Sequence, residues 1–283
     1  MNKIKEFNEN GFCIAKSIIP VALHKELFLT FYDLVTSMVN RHKVKLDFDF
    51  KDISDVKYPD DIDHLDKALF AVSDYKRDLI GELYDTIAYC SAFLKLVSHP
   101  EIENNARELL SLKSHSTIYS TTHRIRMDEP EDVKRRAGWH QEIFHTYPDT
   151  KFIQTWAPVI RDSTVNNGTI EVCEQSHLNG VVDQIWEDEK GGGYAHRILV
   201  KDKIVQKHKE VQLPMKVGDV MFFDPHLIHR SGYNSSNEIR YSQVGMWNDC
   251  SHKGFRTPKP AFVSRSDSPK ENYDKHMAII RKQ

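Results

Sequence analysis

Cysteine is scarce in this sequence, and its few copies are widely separated. The four cysteines among 283 residues are Cys13, Cys90, Cys173 and Cys250, and no two of them form a CxxC motif. Closely spaced cysteines mark thiolate zinc sites, and many cysteines in a short chain mark secreted domains held together by disulfides. The sequence therefore favours neither a thiolate zinc site nor a disulfide framework. A cytoplasmic location is the expectation that follows.

Long apolar runs are also absent. No window approaches eighteen consecutive apolar residues, and the first ten residues carry scattered charges in place of an apolar leader core. We therefore expect neither export nor insertion into a membrane.

Neither positive nor negative charge is in clear excess, because 39 Lys and Arg stand against 41 Asp and Glu, for a formal net charge of -2. A dedicated binder of nucleic acid or of an anionic membrane would carry a basic excess, so both partners are disfavoured.

Repeats and low-complexity tracts are missing as well, and a content of 40% hydrophobic and 28% charged residues is that of an ordinary folded chain. The first part, over residues 1–113, is predicted to be mainly helical. Apolar residues at helical spacing follow Pro20, recur between Leu79 and Leu96, and continue after Pro100. The stretch 43–66 is rich in Asp and Lys and is predicted to be a loop.

From about residue 114 the sequence changes to short β-prone runs separated by turn residues. The runs cover residues 117–120, 152–156, 169–172, 220–223 and 240–244. Such spacing is typical of an antiparallel sandwich or a jelly roll, so we predict an α+β protein whose mostly β core, residues 114–250, is buttressed by the N-terminal helices. Residues 186–210 are basic and glycine-rich and predict a lid-like insertion. With a C-terminal extension over 251–283, the whole chain is predicted to be one domain, 1–283.

Two histidines and a glutamate form the pattern with the clearest chemical meaning. His140 and Glu142 are two residues apart, and such residues point to the same face of a strand. A second imidazole, His229, follows the strand-like run 220–223. Two His and one carboxylate are the facial triad of non-haem Fe(II) oxygenases. Arg240, eleven residues after His229, has the planar guanidinium that binds a carboxylate through two hydrogen bonds.

Four blocks of sequence contain or flank these residues: FNENGFCIAKSIIP, WHQE, TWAPVIRDSTVNNGTIEVCEQSHLNG and VGDVMFFDPHLIHRSGYNSSNEIR. In these blocks, and over nearly the whole chain, the sequence resembles the phytanoyl-CoA dioxygenase family of Fe(II)- and 2-oxoglutarate-dependent oxygenases, which includes ectoine hydroxylase-like enzymes. The resemblance implies that the β core is a jelly roll of the cupin-like type, a double-stranded β-helix. It implies Fe(II) as cofactor, 2-oxoglutarate and O2 as co-substrates, and release of succinate and CO2. It also implies that His140, Glu142 and His229 are the iron ligands.

The resemblance further implies a binding site for 2-oxoglutarate. Arg240 corresponds to the residue that holds its C5 carboxylate, and Ser231 corresponds to the hydroxyl partner. Arg124 and Arg126 lie in a strand that usually contributes to the wall of this site. The candidates for lining a substrate cavity are His145, Tyr147, His177 and Trp247. Aromatic residues in a β core more often pack against their neighbours, so a packing role is the alternative for these four.

The sequence departs from the family at Glu142, where the family usually has Asp. The extra methylene moves the carboxylate outward unless the backbone withdraws, but a carboxylate oxygen suits Fe(II) in either case. A carboxylate here leaves no ligand position for a halide, so hydroxylation is favoured over halogenation. We expect a hydroxylase of a small metabolite or biosynthetic intermediate, and the alternative is a cupin-like binding protein without turnover. The sequence leaves the substrate and the oligomeric state open.

Overall fold

The computed structural model describes residues 3–132, 136–145, 150–188, 196–256 and 269–281. In chain order its strands are β1 (Phe12–Ala15), β2 (Ile118–Asp128), β3 (Phe152–Pro158), β4 (Ile170–Cys173), β5 (Gln184–Asp188), β6 (His196–Val200), β7 (Glu210–Gln212), β8 (Val220–Phe223), β9 (His229–Ser231) and β10 (Arg240–Asp249). Its helices are α1 (Lys3–Asn10), α2 (Val21–His42), α3 (Ile62–Tyr75), α4 (Asp78–Ile87), α5 (Ser91–Val97), α6 (Pro100–Leu109), α7 (Asp202–Val205) and α8 (Pro269–Ile280).

Two antiparallel sheets make up the β core. The larger sheet has the strand order β1-β8-β3-β10-β2, and the smaller has the order β7-β4-β9. Strands that are neighbours in a sheet are distant in sequence, as in β8 between β1 and β3, which is the connectivity of a jelly roll. The predicted cupin-like core with N-terminal helices is thereby confirmed. Strands β5 and β6 form a separate hairpin within the predicted insertion.

Strand β10 shows how the larger sheet separates two environments. Tyr241 and Trp247 lie in the core that the sheet shares with the helices, whereas Val244 packs against Trp156 and Val172 in the core between the two sheets. Successive side chains of a strand point to opposite faces. Residues 240 and 242 have the parity of Val244, so they face the space between the sheets.

The helical layer covers the outer face of the larger sheet. Leu27, Phe31 and Val35 of α2 are fully buried, and the ring of Phe31 meets that of Tyr241 edge to face at a centroid distance of 5.8 Å. Burying each large apolar side chain of this kind stabilises the fold by about 1.5–3 kcal/mol. The amphipathic spacing after Pro20 is thus accounted for by the sheet beneath α2.

The stretch 43–66 differs from its prediction, because it contains a 3-10 turn at Ile53–Asp55 and the start of α3 at Ile62. The buried stripe of α3 is Leu65, Leu69 and Val72, which recurs every three to four residues. Charged residues between these positions concealed the stripe in the sequence. The apolar run from Leu79 to Leu96 also differs, since it is two helices, α4 and α5, rather than one.

The insertion and the C-terminal extension both lie beside the segment that contains Glu142. The backbone N–H of Val200 donates to the carbonyl of Trp139 at 2.8 Å, which joins β6 to that segment. Tyr273 of α8 packs against a buried cluster that includes Ile143 and Met246. Among the helices of the described residues, none combines the length and apolar character that a membrane span requires.

Candidate metal centre

His140 and His229 are held side by side by their backbones. The N–H of His140 donates to the carbonyl of His229 at 3.0 Å, and the N–H of His229 donates back at 3.1 Å. Their rings have centroids 4.2 Å apart. Each Nδ1 faces a carbonyl oxygen of its own strand, that of Gly138 at 2.7 Å for His140 and that of Leu227 at 2.9 Å for His229. Because a carbonyl only accepts, each Nδ1 is the donor and each Nε2 keeps the lone pair that a metal needs.

Glu142 completes a group of three possible metal ligands. Its Oε2 lies 3.5 Å from Nε2 of His140 and 3.8 Å from Nε2 of His229. Ligand atoms of all three residues lie within 4.8 Å of one another. Donors that each stand about 2 Å from a common ion are separated by about 3 Å, so a small adjustment would bring these three onto one metal.

The backbone at Glu142 differs from the predicted regular strand. His140 forms an isolated bridge with His229, and Glu142 then begins a 3-10 helix, Glu142–His145. The N–H groups of Glu142 and Ile143 both donate to the carbonyl of Pro225, at 3.1 and 3.2 Å. The 3-10 turn and these two hydrogen bonds set the position from which the Glu142 side chain reaches the two imidazoles.

A buried arginine lies between the sheets on β10. Arg240 is 1% exposed, and its Nη2 donates to Oδ2 of Asp128 at 2.5 Å. Its Nε and Nη1 have no hydrogen-bond partner among the described residues. A buried guanidinium with unpaired N–H groups is costly unless a ligand accepts them. Arg240 therefore has the form of an anion-binding group.

Asp128 is shared by two arginines. Arg126 donates to its Oδ1 at 2.9 Å, while Arg240 occupies the other oxygen. Burial favours the neutral form of this carboxyl, but the two guanidinium groups outweigh burial and hold its pKa well below the usual value. The ionised carboxylate of Asp128 is therefore a hydrogen-bond partner that Arg126 and Arg240 share.

Two serines face the same space between the sheets as Arg240. Ser231 is on β9 and has the same parity as His229, so it faces the space between the sheets. Ser242 is fully buried on β10 with the same parity as Arg240, and its Oγ has no hydrogen-bond partner among the described residues. Neither Ser242 nor Asp128 was predicted from the sequence. Ser242 could have been predicted, because it lies two residues from Arg240 and therefore faces the same side of the strand.

The remaining arginine, Arg124, lies on the same face of β2 as Arg126 but is exposed. Its register partner on β10 is Val244, four residues along the strand from Arg240. Arg124 thus stands at the outer end of a row that begins with the buried pair of Asp128 and Arg240. Of the two arginines expected in the co-substrate wall, the structure brings only Arg126 to the Asp128–Arg240 pair.

The candidates for a substrate wall have different surroundings. His177 directs Nε2 to the carbonyl of Asn8 in α1 at 3.1 Å. Trp247 lies in the core beneath the helices, on the face of β10 opposite Arg240. Both surroundings favour the packing role that was the alternative for these residues, and contact with a substrate stays a prediction. His145 ends the 3-10 helix that begins at Glu142, and its side chain, like the whole of Tyr147, lies outside the described residues.

The fold and the site together define a cupin-like jelly-roll protein with a cluster of two histidines and one carboxylate suited to a metal ion. The model of the phytanoyl-CoA dioxygenase (PhyH) family matches residues 7–242, and the chain belongs to this family. The family is one of Fe(II)- and 2-oxoglutarate-dependent oxygenases, as the sequence motifs had implied.

Two curated proteins are similar over part of their length. The 1-deoxypentalenic acid 11-beta-hydroxylase of Streptomyces arenae is 26% identical over 136 residues, which are 46% of this chain and 48% of that protein. A phytanoyl-CoA dioxygenase domain-containing protein 1 homolog of Dictyostelium discoideum is 30% identical over 106 residues, 36% of this chain and 37% of that protein. The matched region thus spans about half of the first relative and less of the second.

Solved structures share the fold at low sequence identity. The epimerase SnoN, in complex with Fe3+, alpha ketoglutarate and nogalamycin RO, superposes with a TM-score of 0.58 at 14% identity, over 94% of this chain and 91% of that one. EctD from S. alaskensis with bound Fe gives a TM-score of 0.53 at 14% identity, over 93% and 83%. These likenesses support the same jelly-roll architecture.

Proposed function

We propose that this protein is an Fe(II)- and 2-oxoglutarate-dependent dioxygenase that hydroxylates a small organic molecule and releases succinate and CO2. The observation that carries the proposal is the group of His140, Glu142 and His229, with ligand atoms within 4.8 Å of one another. Membership of the phytanoyl-CoA dioxygenase family supports the same chemistry.

The donor set fits iron. Two imidazole Nε2 atoms and one carboxylate oxygen are the ligands that non-haem Fe(II) oxygenases use, and three ligands leave further positions for a co-substrate and O2. Bound iron would supply O2 activation coupled to oxidative decarboxylation of 2-oxoglutarate. The protein's own part is to fix the three donors, because the backbone bridge between His140 and His229 sets the separation of the two imidazoles.

The arginine pair fits a dicarboxylic co-substrate. Arg240 would donate from one of its unpaired nitrogens, Nε or Nη1, to the distal carboxylate of 2-oxoglutarate, while Asp128 keeps Nη2 in place. Ser231 and Ser242 would offer hydroxyl groups from β9 and β10 to the same carboxylate. The low exposure of Arg240 would keep competing water from this contact.

The proposed substrate is a small organic molecule, like the molecules that appear in the names of two similar proteins. The relative from Streptomyces arenae is named for hydroxylation of 1-deoxypentalenic acid, and the SnoN structure holds nogalamycin RO. Hydroxylation is favoured here because Glu142 supplies a third protein ligand, which argues against a halide at that position. The cytoplasm is the compartment proposed for this reaction.

Release of succinate tests the proposed function. The wild-type protein with Fe(II), 2-oxoglutarate and O2 is expected to release succinate slowly even without a second substrate, and Glu142→Ala is expected to abolish this release. Glu174→Ala is the matched control, since Glu174 pairs with Lys209 away from the cluster, at 3.0 Å. Absence of any consumption of 2-oxoglutarate by wild type would favour a binding protein without turnover, and full activity of Glu142→Ala would exclude the ligand assignment.

A further inference from the structure

Gln141, between two of the proposed ligands, uses all of its hydrogen-bonding capacity. The side chain is fully buried. Its Nε2 donates to the carbonyls of Gly180 at 2.8 Å and His226 at 2.6 Å. Its Oε1 accepts from the N–H of Val182 at 3.0 Å and from Nε2 of Gln184 at 3.3 Å. A glutamine amide has two N–H donors and two acceptor lone pairs, so no position is left over.

The hydrogen bond from Nε2 to His226 joins the two segments that carry the proposed metal ligands. One segment is His140–Glu142, and the other contains His226 and leads into His229. The two segments already meet at two points, where Glu142 donates to Pro225 and where His140 and His229 exchange backbone hydrogen bonds. The bond from Gln141 lies between those two points. It therefore restrains the distance between the His140–Glu142 pair and His229.

The other side of the amide joins the metal site to the insertion. Gly180, Val182 and Gln184 form the stem from which the β5–β6 hairpin rises. The far end of the hairpin returns to the same place, where Val200 donates to Trp139 at 2.8 Å. Both ends of the β5–β6 hairpin are thus hydrogen-bonded to residues next to His140. At the stem, these hydrogen bonds are the ones that Gln141 makes.

We infer that Gln141 is a positioning residue, which fixes His140 and Glu142 relative to His229 and couples the stem of the insertion to the metal ligands. The inference rests on the proposed function for the metal that these ligands bind. Space filling alone does not explain the amide, because an apolar side chain of similar volume would fill the site without the four bonds. Groups that orient metal ligands affect metal affinity although they do not touch the ion.

The test compares Gln141→Met with Gln243→Met. Gln243 is also a buried glutamine, but it lies on the opposite face of β10 from Arg240, and its amide has no hydrogen-bond partner among the described residues. Titration with Co(II), followed by its d–d absorption bands, measures metal affinity and ligand geometry without turnover. We expect Gln141→Met to weaken Co(II) binding by about 10- to 100-fold with altered bands. Gln243→Met should bind within about twofold of wild type.

Unchanged affinity and bands in a folded Gln141→Met variant would overturn the inference while leaving the proposed function intact. Failure of the wild-type protein to bind Co(II) would instead overturn the proposed function. If Gln141→Met does not fold, hydrogen exchange of the wild-type protein provides the test. Co(II) is expected to slow amide exchange in the Gly180–Gln184 peptide but not in Tyr84–Ala92, and equal exchange with and without metal in the first peptide would overturn the coupling.

Discussion

At the scale of single residues, Asp128 is the carboxylate between two arginines of the proposed co-substrate site. Its two oxygens bind Arg240 and Arg126, and the three side chains lie on facing positions of β10 and β2. Buried charges of one sign are tolerated only when they are paired. Asp128 therefore lets two arginines share a partly buried site while one edge of Arg240 stays open for a ligand.

Replacing Asp128 tests this role through the pH dependence of stability. We expect Asp128→Asn to lower the free energy of unfolding at pH 7 by about 3 kcal/mol, because it leaves two arginines without a carboxylate. The folded-state pKa of Asp128 is depressed, so its contribution is present above the unfolded-state value near 4 and is lost as pH falls through the lower folded-state value. The gap between wild type and variant should therefore narrow on acidification.

Urea unfolding from pH 7 down to pH 3 measures that gap. Asp183→Asn is the control, since the pair of Asp183 with Lys201 is at the surface and is expected to be worth less than about 1 kcal/mol. A gap that stays constant over this pH range would show that the depressed pKa does not contribute to stability.

The sequence motifs predicted part of this site. His140, Glu142 and His229 could be chosen because their spacing and residue types match a metal chemistry, and the structure brings the three together. Asp128 could not be chosen, because an aspartate twelve residues from the nearest predicted metal ligand, His140, has no local pattern. Its role arises only from the register that sets it opposite Arg240.

At the scale of secondary-structure elements, α3 anchors the start of β10. Asp66 of α3 accepts from the backbone N–H of Ile239 at 3.0 Å and from the hydroxyl of Tyr241 at 2.5 Å. Arg161 donates to Asp66 at 2.6 Å and to the carbonyl of Ile239 at 3.1 Å. The backbone N–H and the carbonyl of Ile239, the residue before Arg240, are thus both hydrogen-bonded to side chains from outside the sheet. The helix fixes the strand that presents Arg240.

Removing Asp66 is expected to loosen this anchor. Asp66→Ala leaves the hydroxyl of Tyr241 and the N–H of Ile239 without their acceptor and removes the buried carboxylate partner of Arg161, so we expect a loss of about 3–5 kcal/mol in the free energy of unfolding. Asp63→Ala is a matched control on the same helix, because Asp63 also pairs with Arg161 but its side chain is 76% exposed. Its expected loss is below about 1 kcal/mol. Equal losses in the two variants would contradict the anchoring role of α3.

Elements were predictable where one periodicity dominated. β3, β4 and β8 stood out as short β-prone runs, and α2 stood out through its apolar spacing. The start of α3 was missed because its charged residues resemble a loop, although Leu65 and Leu69 are buried in the main hydrophobic core. Tertiary burial decides such cases, and a local pattern does not contain that information.

At the scale of the whole molecule, the jelly roll brings distant parts of the chain to one place. The proposed ligands come from the His140–Glu142 segment and from β9, while the proposed co-substrate groups come from β2, β9 and β10. The N-terminal helices cover the opposite face of the larger sheet, so they support the proposed site from outside. The architecture was predictable from the order of helical and β-prone segments, but the contacts of the insertion were not.

The most direct test of the account is an anaerobic titration of the metal-free protein with Fe(II) and then 2-oxoglutarate, monitored by visible absorption. We expect a weak charge-transfer band that appears only after both Fe(II) and 2-oxoglutarate have been added. The band should be lost in His229→Ala, should need more 2-oxoglutarate in Arg240→Ala, and should persist in His226→Ala, whose imidazole is bonded to Asp224 at 2.8 Å. A wild-type protein that binds Fe(II) but shows no band with 2-oxoglutarate would contradict the account.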